Sequence, residues 1–225
     1  FARREVPRMV FRADGRFPHG GMFDRLKGII SVYAASKCIG REFKILFNHP
    51  FNLSDYLAPN RYDWTVAPDE LQNHWPAARP VFMYGEGGNP TRLVRRSMFE
   101  RHYYYGFDSL QWLNNRYGQQ FDFGQLYAEL FHPTDYLQAY IDQYKAEIGA
   151  PYVAIHFRFM NLIGDSNEFA DINPTLPAEQ QKRLVEESLR QVEFLMAQHP
   201  DHRVMLATDS PQFTALATER FTVLY

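Results

Sequence analysis

Tyr152-Val-Ala-Ile-His-Phe-Arg158 is the stretch from which the fold of this chain can be read. Pro151 opens it, and the apolar run Val153, Ala154, Ile155 predicts a short strand buried on both faces. It ends in His156 and Arg158, a spacing that points both side chains to one face of a strand. In an open α/β sheet, ligands bind at the carboxyl ends of the strands. A guanidinium there offers a planar fork of donors suited to phosphate or carboxylate. Taken alone, the stretch admits two readings. One is a ligand site; the other is an arginine salt-bridged at a strand end, with His156 a hydrogen-bonded core residue.

Working downstream, Phe159 to Phe169 is a polar loop containing Gly164, long for a βα connection, and long loops at strand ends are commonly functional. A helix is predicted from Pro177 to Gln198, with Val185, Leu189, Val192 and Met196 on one stripe and Glu186, Glu187 and Arg190 on a solvated face. His199-Pro-Asp-His202 reads as a turn, since a two-histidine metal site has no further ligand in view. Arg203 to Ala207 is the next strand, ending in Thr208-Asp209-Ser210-Pro211, and Pro211 suits the first turn of a helix over Gln212 to Arg220. A last strand spans Phe221 to Tyr225. The strands Tyr152–Arg158 and Arg203–Ala207 are then parallel neighbours or near neighbours. His156, Arg158, Thr208, Asp209 and Ser210 converge on one sheet edge, and that convergence favours the ligand reading.

Upstream, Arg8 to Arg12 reads as a strand and Ala13 to Gly21 as a loop with Gly15, Gly20 and Gly21. Asp24 to Cys38 follows as a helix with Leu26, Ile29, Ile30, Tyr33 and Ala34 on one stripe. Gly40 closes it, and Phe43 to Phe47 is a strand, completing one βαβ unit. Glycine loops before helices often approach ligands through backbone N–H groups. This one is not G-x-G-x-x-G, so no dinucleotide fingerprint is present, and Gly20-Gly21 by itself is a tight turn. Arg79 to Tyr84 is a further strand. From Phe107 the pattern is helical: Ser109 to Leu113, Phe123 to Phe131, a break at His132-Pro133, then Tyr136, Leu137, Tyr140, Ile141 and Tyr144 up to Gly149. The aromatics of this region are expected in the core. Ile148-Gly-Ala-Pro151 looks like a joint, dividing the chain into residues 1–150 and 151–225.

Composition sets the class. The 225 residues are 45% hydrophobic, 16% aromatic and 22% charged, enough for a sizeable core. A net charge of -2 argues against a nucleic-acid partner or an anionic membrane surface. Cys38 is the one cysteine, which rules out an intrachain disulfide and a cysteine metal cluster and fits a reducing, cytoplasmic setting. No apolar run approaches the ~20 residues of a membrane span, and no signal peptide is visible.

With these residues in place, the chain resembles the fucosyltransferase superfamily of nodulation α1,6-fucosyltransferases and protein O-fucosyltransferases. His156-Phe-Arg158 followed by Gly164 resembles the family's H-x-R-R-x-D motif and its downstream glycine. Leu206-Ala-Thr-Asp-Ser-Pro211 resembles its A-T-D-D/S-P segment, and Gly20-Gly-Met-Phe-Asp-Arg-Leu-Lys-Gly28 its glycine-rich first loop. Order and separation agree over nearly the whole chain. The resemblance implies a GT-B fold of two Rossmann-like halves, the first (1–150) on the acceptor side and the second (151–225) binding the nucleotide sugar. It implies GDP-fucose as donor, a glycan or other hydroxyl-bearing acceptor, and no cofactor or required metal.

The H-x-R arginine carries over to Arg158 as the diphosphate ligand. Gly20, Gly21, Asp24, Thr208, Asp209 and Ser210 are the donor-binding candidates, and Asp24 and Arg25 on the first helix would face the cleft from the acceptor side. His156 would orient the loop or bond the donor, and Asp165 or Glu168 would take the acceptor proton. Two departures stand out: the family's second arginine is Phe159 here, and the acidic position is Asn161. A serine-bearing turn expected near the family's C-terminus does not appear before Tyr225, so the second half reads as truncated. These departures keep open a rival reading, a degenerate module that binds nucleotide or glycan without turnover. A phosphohydrolase or kinase-like domain finds neither a P-loop nor a G-x-S-x-G elbow nor a carboxylate cluster for Mg²⁺.

Overall fold

A computed structural model describes residues 7–83, 89–149, 151–166 and 174–225. The chain forms two compact units, Phe1–Ala139 and Tyr140–Tyr225, each with its own parallel sheet.

The first unit is built on four parallel strands in the order β2-β1-β5-β4: β1 (Met9–Ala13), β2 (Phe43–Phe47), β4 (Ala78–Phe82) and β5 (Glu100–Tyr104). Helix α1 (Met22–Ile39) joins β1 to β2 as the sequence predicts, ending at Gly40 in the left-handed region. It packs on one face of the sheet, where Phe11, Ile29, Ile30, Tyr33, Phe43 and Tyr103 are fully buried or nearly so. The helix comes close to the loop after β5, because neither Gly28 nor Gly106 has a side chain to hold them apart. Helices α2 (Leu110–Tyr117) and α3 (Phe123–Leu130) pack beside α1. Tyr33 and Lys37 of α1 both donate to the Glu129 carboxylate on α3. Short strands β3 (Leu57–Pro59) and β6 (Phe131–Pro133) pair antiparallel beyond them.

The opposite face of this sheet holds a small apolar cluster of Val10, Leu46 and Leu71, and beside it a chain of polar side chains. Arg12 donates to Asp14 at 2.6 Å and to Nδ1 of His102 at 3.0 Å. An arginine can only donate, so Nδ1 of His102 must accept. The ring proton therefore lies on Nε2, which faces Glu100 at 2.7 Å. The other Glu100 oxygen accepts from Arg8 at 2.8 Å. β5 is a strand that the sequence reading does not contain. Its Glu100-Arg-His looks too polar for the interior, yet all three residues are buried: Glu100 is met by Arg8 and the Gln72 N–H, His102 by Arg12, and Arg101 donates to the Arg95 carbonyl at 2.6 Å.

Helix α4 (Asp135–Ile148) corrects a second expectation. It has no buried residue, and Tyr136, Tyr140 and Tyr144 are exposed rather than in the core. The aromatics before it, Tyr127 and Phe131 among them, do pack inward.

The second unit has three parallel strands in the order β7-β8-β9: β7 (Tyr152–Phe157), β8 (Arg203–Thr208) and β9 (Val223–Leu224). The helices between them, α5 (Ala178–Gln198) and α6 (Pro211–Arg220), lie where the sequence puts them. Leu189, Val192, Leu206 and Phe213 form the buried core on one face of the sheet. β7 is not buried on both faces. It is an edge strand whose Val153, Ile155 and Phe157 turn inward while Tyr152, Ala154 and His156 are exposed. Its continuous apolar run is the product of small Ala154 on the open face, not of double burial.

Candidate functional site

In the second unit, β7 and β8 run in register from Tyr152 beside Arg203 to Phe157 beside Thr208. Arg158 and Asp209 are thus the first residues past the ladder on adjacent strands. They sit together at the carboxyl edge of the sheet, as the spacing predicts. His156 is exposed on the last paired stretch, beside Ala207.

What ties this edge together is Asp209. Its two carboxylate oxygens accept the backbone N–H groups of Phe159 and Met160, each at 2.8 Å. Hydrogen bonds to a charged acceptor are among the stronger ones in a protein. They hold the turn that follows Arg158, in which Met160 adopts a positive φ of 51°. Gly164 closes the same turn at φ +80°, and a Cβ there would press Thr175 at 3.2 Å, which accounts for the glycine on two grounds.

The two residues beside Asp209 are also engaged. The Thr208 hydroxyl accepts the Ser210 N–H at 3.2 Å. Ser210 is the N-cap of α6: its Oγ accepts the Phe213 N–H at 2.9 Å and donates to Asp165. The same Asp165 oxygen accepts the Gln212 N–H at 3.1 Å, while the other, Oδ1, is buried without a hydrogen-bond partner. A carboxylate at a helix N-terminus suits the helix dipole. Asp165 is therefore drawn into the α6 cap, with its lone pairs turned inward. Glu168 lies outside the described residues.

Phe159 explains one departure from the family pattern. It is 3% exposed and stacked on Phe157 with ring centroids 6.0 Å apart, and it also packs on Phe213. The position that carries the family's second arginine is here a core position. No charged side chain fits it without losing that packing.

In the first unit, the loop after β1 carries the remaining candidates. Arg25, on the first turn of α1, donates to the Gly20 carbonyl at 3.1 Å and to the His49 carbonyl at 3.0 Å. Burial lowers its pKa from the usual arginine value. Asp24 pairs with Lys27 at 2.9 Å. Gly21 precedes α1 with open space where a Cβ would go. Next to them, His19 has both ring nitrogens buried without a partner. Burial first, and then the Arg25 charge, hold its pKa below the ordinary 6.5. The sequence reading passed over His19 because a lone histidine in a loop has no pattern around it.

The solved structures supply the comparison. Fucosyltransferase NodZ from Bradyrhizobium matches over 97% of this chain and 77% of its own, at 16% identity and a TM-score of 0.56. NodZ alpha-1,6-fucosyltransferase soaked with GDP-fucose matches with a TM-score of 0.55, and the form co-crystallised with GDP with 0.56, at the same identity and coverage. The fold is a fucosyltransferase fold. At this identity the likeness is one of architecture, and it agrees with the family resemblance carried by His156, Arg158 and the Thr208-Asp-Ser210 turn. No protein-family model and no curated protein matches the chain by sequence. Among the described residues, no group of three or more His, Cys, Asp or Glu is placed to hold a metal ion. No helix among them is long and apolar enough to cross a membrane.

Proposed function

We propose that this chain is a metal-independent glycosyltransferase that moves fucose, or a related sugar, from a GDP-sugar to an acceptor hydroxyl. In this reading it is of GT-B type, with Rossmann-like halves at 1–150 and 151–225, the second binding the donor. The observation that carries it is the Asp209 clamp on the turn behind Arg158. A clamped turn fixes the backbone of a guanidinium-bearing residue at the sheet edge where nucleotides are bound in α/β folds. The NodZ fold and the GDP and GDP-fucose forms of NodZ add support for the donor class.

When the nucleotide leaves, negative charge grows on the β-phosphate and positive charge on the sugar ring. Without a metal, fixed donors must meet the phosphate charge as it develops. Arg158 is assigned that role, with His156 beside it bonding the donor. Thr208, Asp209 and Ser210 shape the site through the backbone. Asp165 is not drawn on as the base, since one of its oxygens caps α6 and the other is buried.

Calorimetry with GDP and GDP-fucose, followed by a transfer assay on glycan acceptors, tests the proposal. Binding with turnover supports it, and absence of both removes it. The second reading is a nucleotide-binding module without turnover, and the buried Phe159 in place of an arginine favours it. Binding without transfer on any acceptor selects that reading.

A further inference from the structure

The first unit contains a cavity of about 300 Å³ that plays no part in the proposed donor chemistry. It lies on the face of the sheet away from α1, with Arg12 and His102 at its base and Trp75 and Arg79 at its rim. The volume is at the lower end of small-molecule pockets.

Its charge is lopsided. Arg12, Arg16 and Arg79 line it with His74 and His102, and no Asp or Glu does, although the chain as a whole carries a net charge of -2. Arg12 is matched by Asp14 at 2.6 Å, and Arg16 lies 3.6 Å from the same carboxylate. Arg79 is different. Its guanidinium carbon lies 4.4 Å from the ring centroids of both Trp75 and Phe99, and its N–H groups make no hydrogen bond to another described residue. Aromatic rings hold a guanidinium through its faces and leave the in-plane donors unused. Such an edge is shaped for a two-oxygen anion. The lining also offers apolar ring surface. Trp75 is 70% exposed, and Phe17 and Tyr104 meet at 4.7 Å on the inner wall. Gln72, Asn73 and His74 add hydrogen-bonding groups along the rim.

We propose that this cavity binds a sugar unit bearing an oxyanion, a carboxylate or a sulfate, with Arg79 and Arg16 on the anion and the Trp75 ring against the sugar face. The site lies within the first unit and does not depend on the donor reading, so it is tested with no nucleotide present.

The full chain is titrated by calorimetry and tryptophan fluorescence with four probes: a neutral disaccharide, a uronate-bearing disaccharide, a sulfated disaccharide and inorganic sulfate. The anionic disaccharides are expected to bind and to change the fluorescence, at least tenfold more tightly than either the neutral sugar or inorganic sulfate. Arg79→Gln should weaken them by about ten- to a hundredfold, the usual range for a hydrogen bond to a charged group. Arg16→Gln repeats the test at a second exposed side chain, and Trp75→Ala should abolish the fluorescence response. Equal binding of the neutral disaccharide overturns the anion assignment. Equal binding of inorganic sulfate overturns the sugar assignment. No binding of either anionic sugar, or full affinity in both arginine variants, overturns the site.

Discussion

Gly28 of α1 and Gly106 after β5 meet backbone to backbone: a Cβ on Gly106 would come 2.3 Å from the Gly28 Cα. The contact seats α1 against the sheet edge, and no side chain beyond hydrogen fits there. Gly106→Ala must push the helix away or distort the loop. Overpacking of this kind costs about 1–3 kcal/mol, and contact with backbone sits at the high end. Gly21→Ala, with open space around it, should change stability by less than about 0.5 kcal/mol. Urea unfolding of the two variants side by side checks this; equal midpoints would show that α1 can move without cost.

Acid should loosen the first unit through Glu100. Burial works to raise its pKa, but hydrogen bonds from His102 and Arg8, with the Arg8 charge, outweigh burial and hold it below the ordinary 4.5. A carboxyl whose folded pKa is depressed adds stability above its unfolded value and loses it as pH falls through the folded value. The loss is therefore expected below about pH 4.5. Glu100→Gln should lower stability at neutral pH and flatten that acid limb. An unchanged limb in the variant would assign the acid loss to other groups.

The Asp209 clamp makes a prediction that separates shape from charge. Asp209→Asn keeps one carbonyl oxygen and points an amide N–H at the second backbone donor. About 1.5–3 kcal/mol of stability should go with the lost charged hydrogen bond. If Arg158 binds the diphosphate, GDP affinity should fall too, although Asp209 carries no positive charge to offer it. Retained GDP affinity in a folded Asp209→Asn would detach the clamp from the binding site.

Arg158→Lys should weaken GDP more than GMP. Lysine keeps the charge but loses the two-pronged fork, and GMP has no β-phosphate to miss it. The loss for GDP is expected at one to two decades of affinity, from roughly 1.5–3 kcal/mol. Calorimetry on the two nucleotides decides it, and equal weakening would withdraw the β-phosphate assignment.

If the chain transfers sugar as proposed, activity measured after exhaustive EDTA treatment is expected to be undiminished. Loss of activity that Mg²⁺ or Mn²⁺ restores would place the chemistry in a different transferase class.

Much of this was legible from local pattern. The βαβ unit of β1, α1 and β2 follows from a helical stripe between two apolar runs, and α5 from its own stripe. The shared edge of β7 and β8 follows from two strands with polar ends. What escaped depends on partners distant in sequence. Glu100 and His102 look unfit for a central strand until Arg8 and Arg12 are placed beside them. Tyr136, Tyr140 and Tyr144 have the period of a buried stripe, but periodicity says nothing about whether a core faces it. β7 appeared doubly buried because alanine on an open face is indistinguishable from alanine in a core. At the candidate site, the residue types at the sheet edge were readable from motif and spacing. That Asp165 and Ser210 cap α6, and that Asp209 holds a turn, required the hydrogen bonds themselves.

The bond from the Phe159 amide to Asp209 spans 50 positions of chain. During synthesis the segment behind Arg158 emerges first, and its bonds to Asp209 wait until α5 and β8 have followed it out. Contacts of such separation form late, after the loop between them has closed. The turn that follows Arg158 thus gains its two bonds to Asp209 only when β8 docks beside β7. A lesion in β8 or at the start of α6 would then leave a chain whose first unit is native and whose β7–β8 edge lacks its clamp.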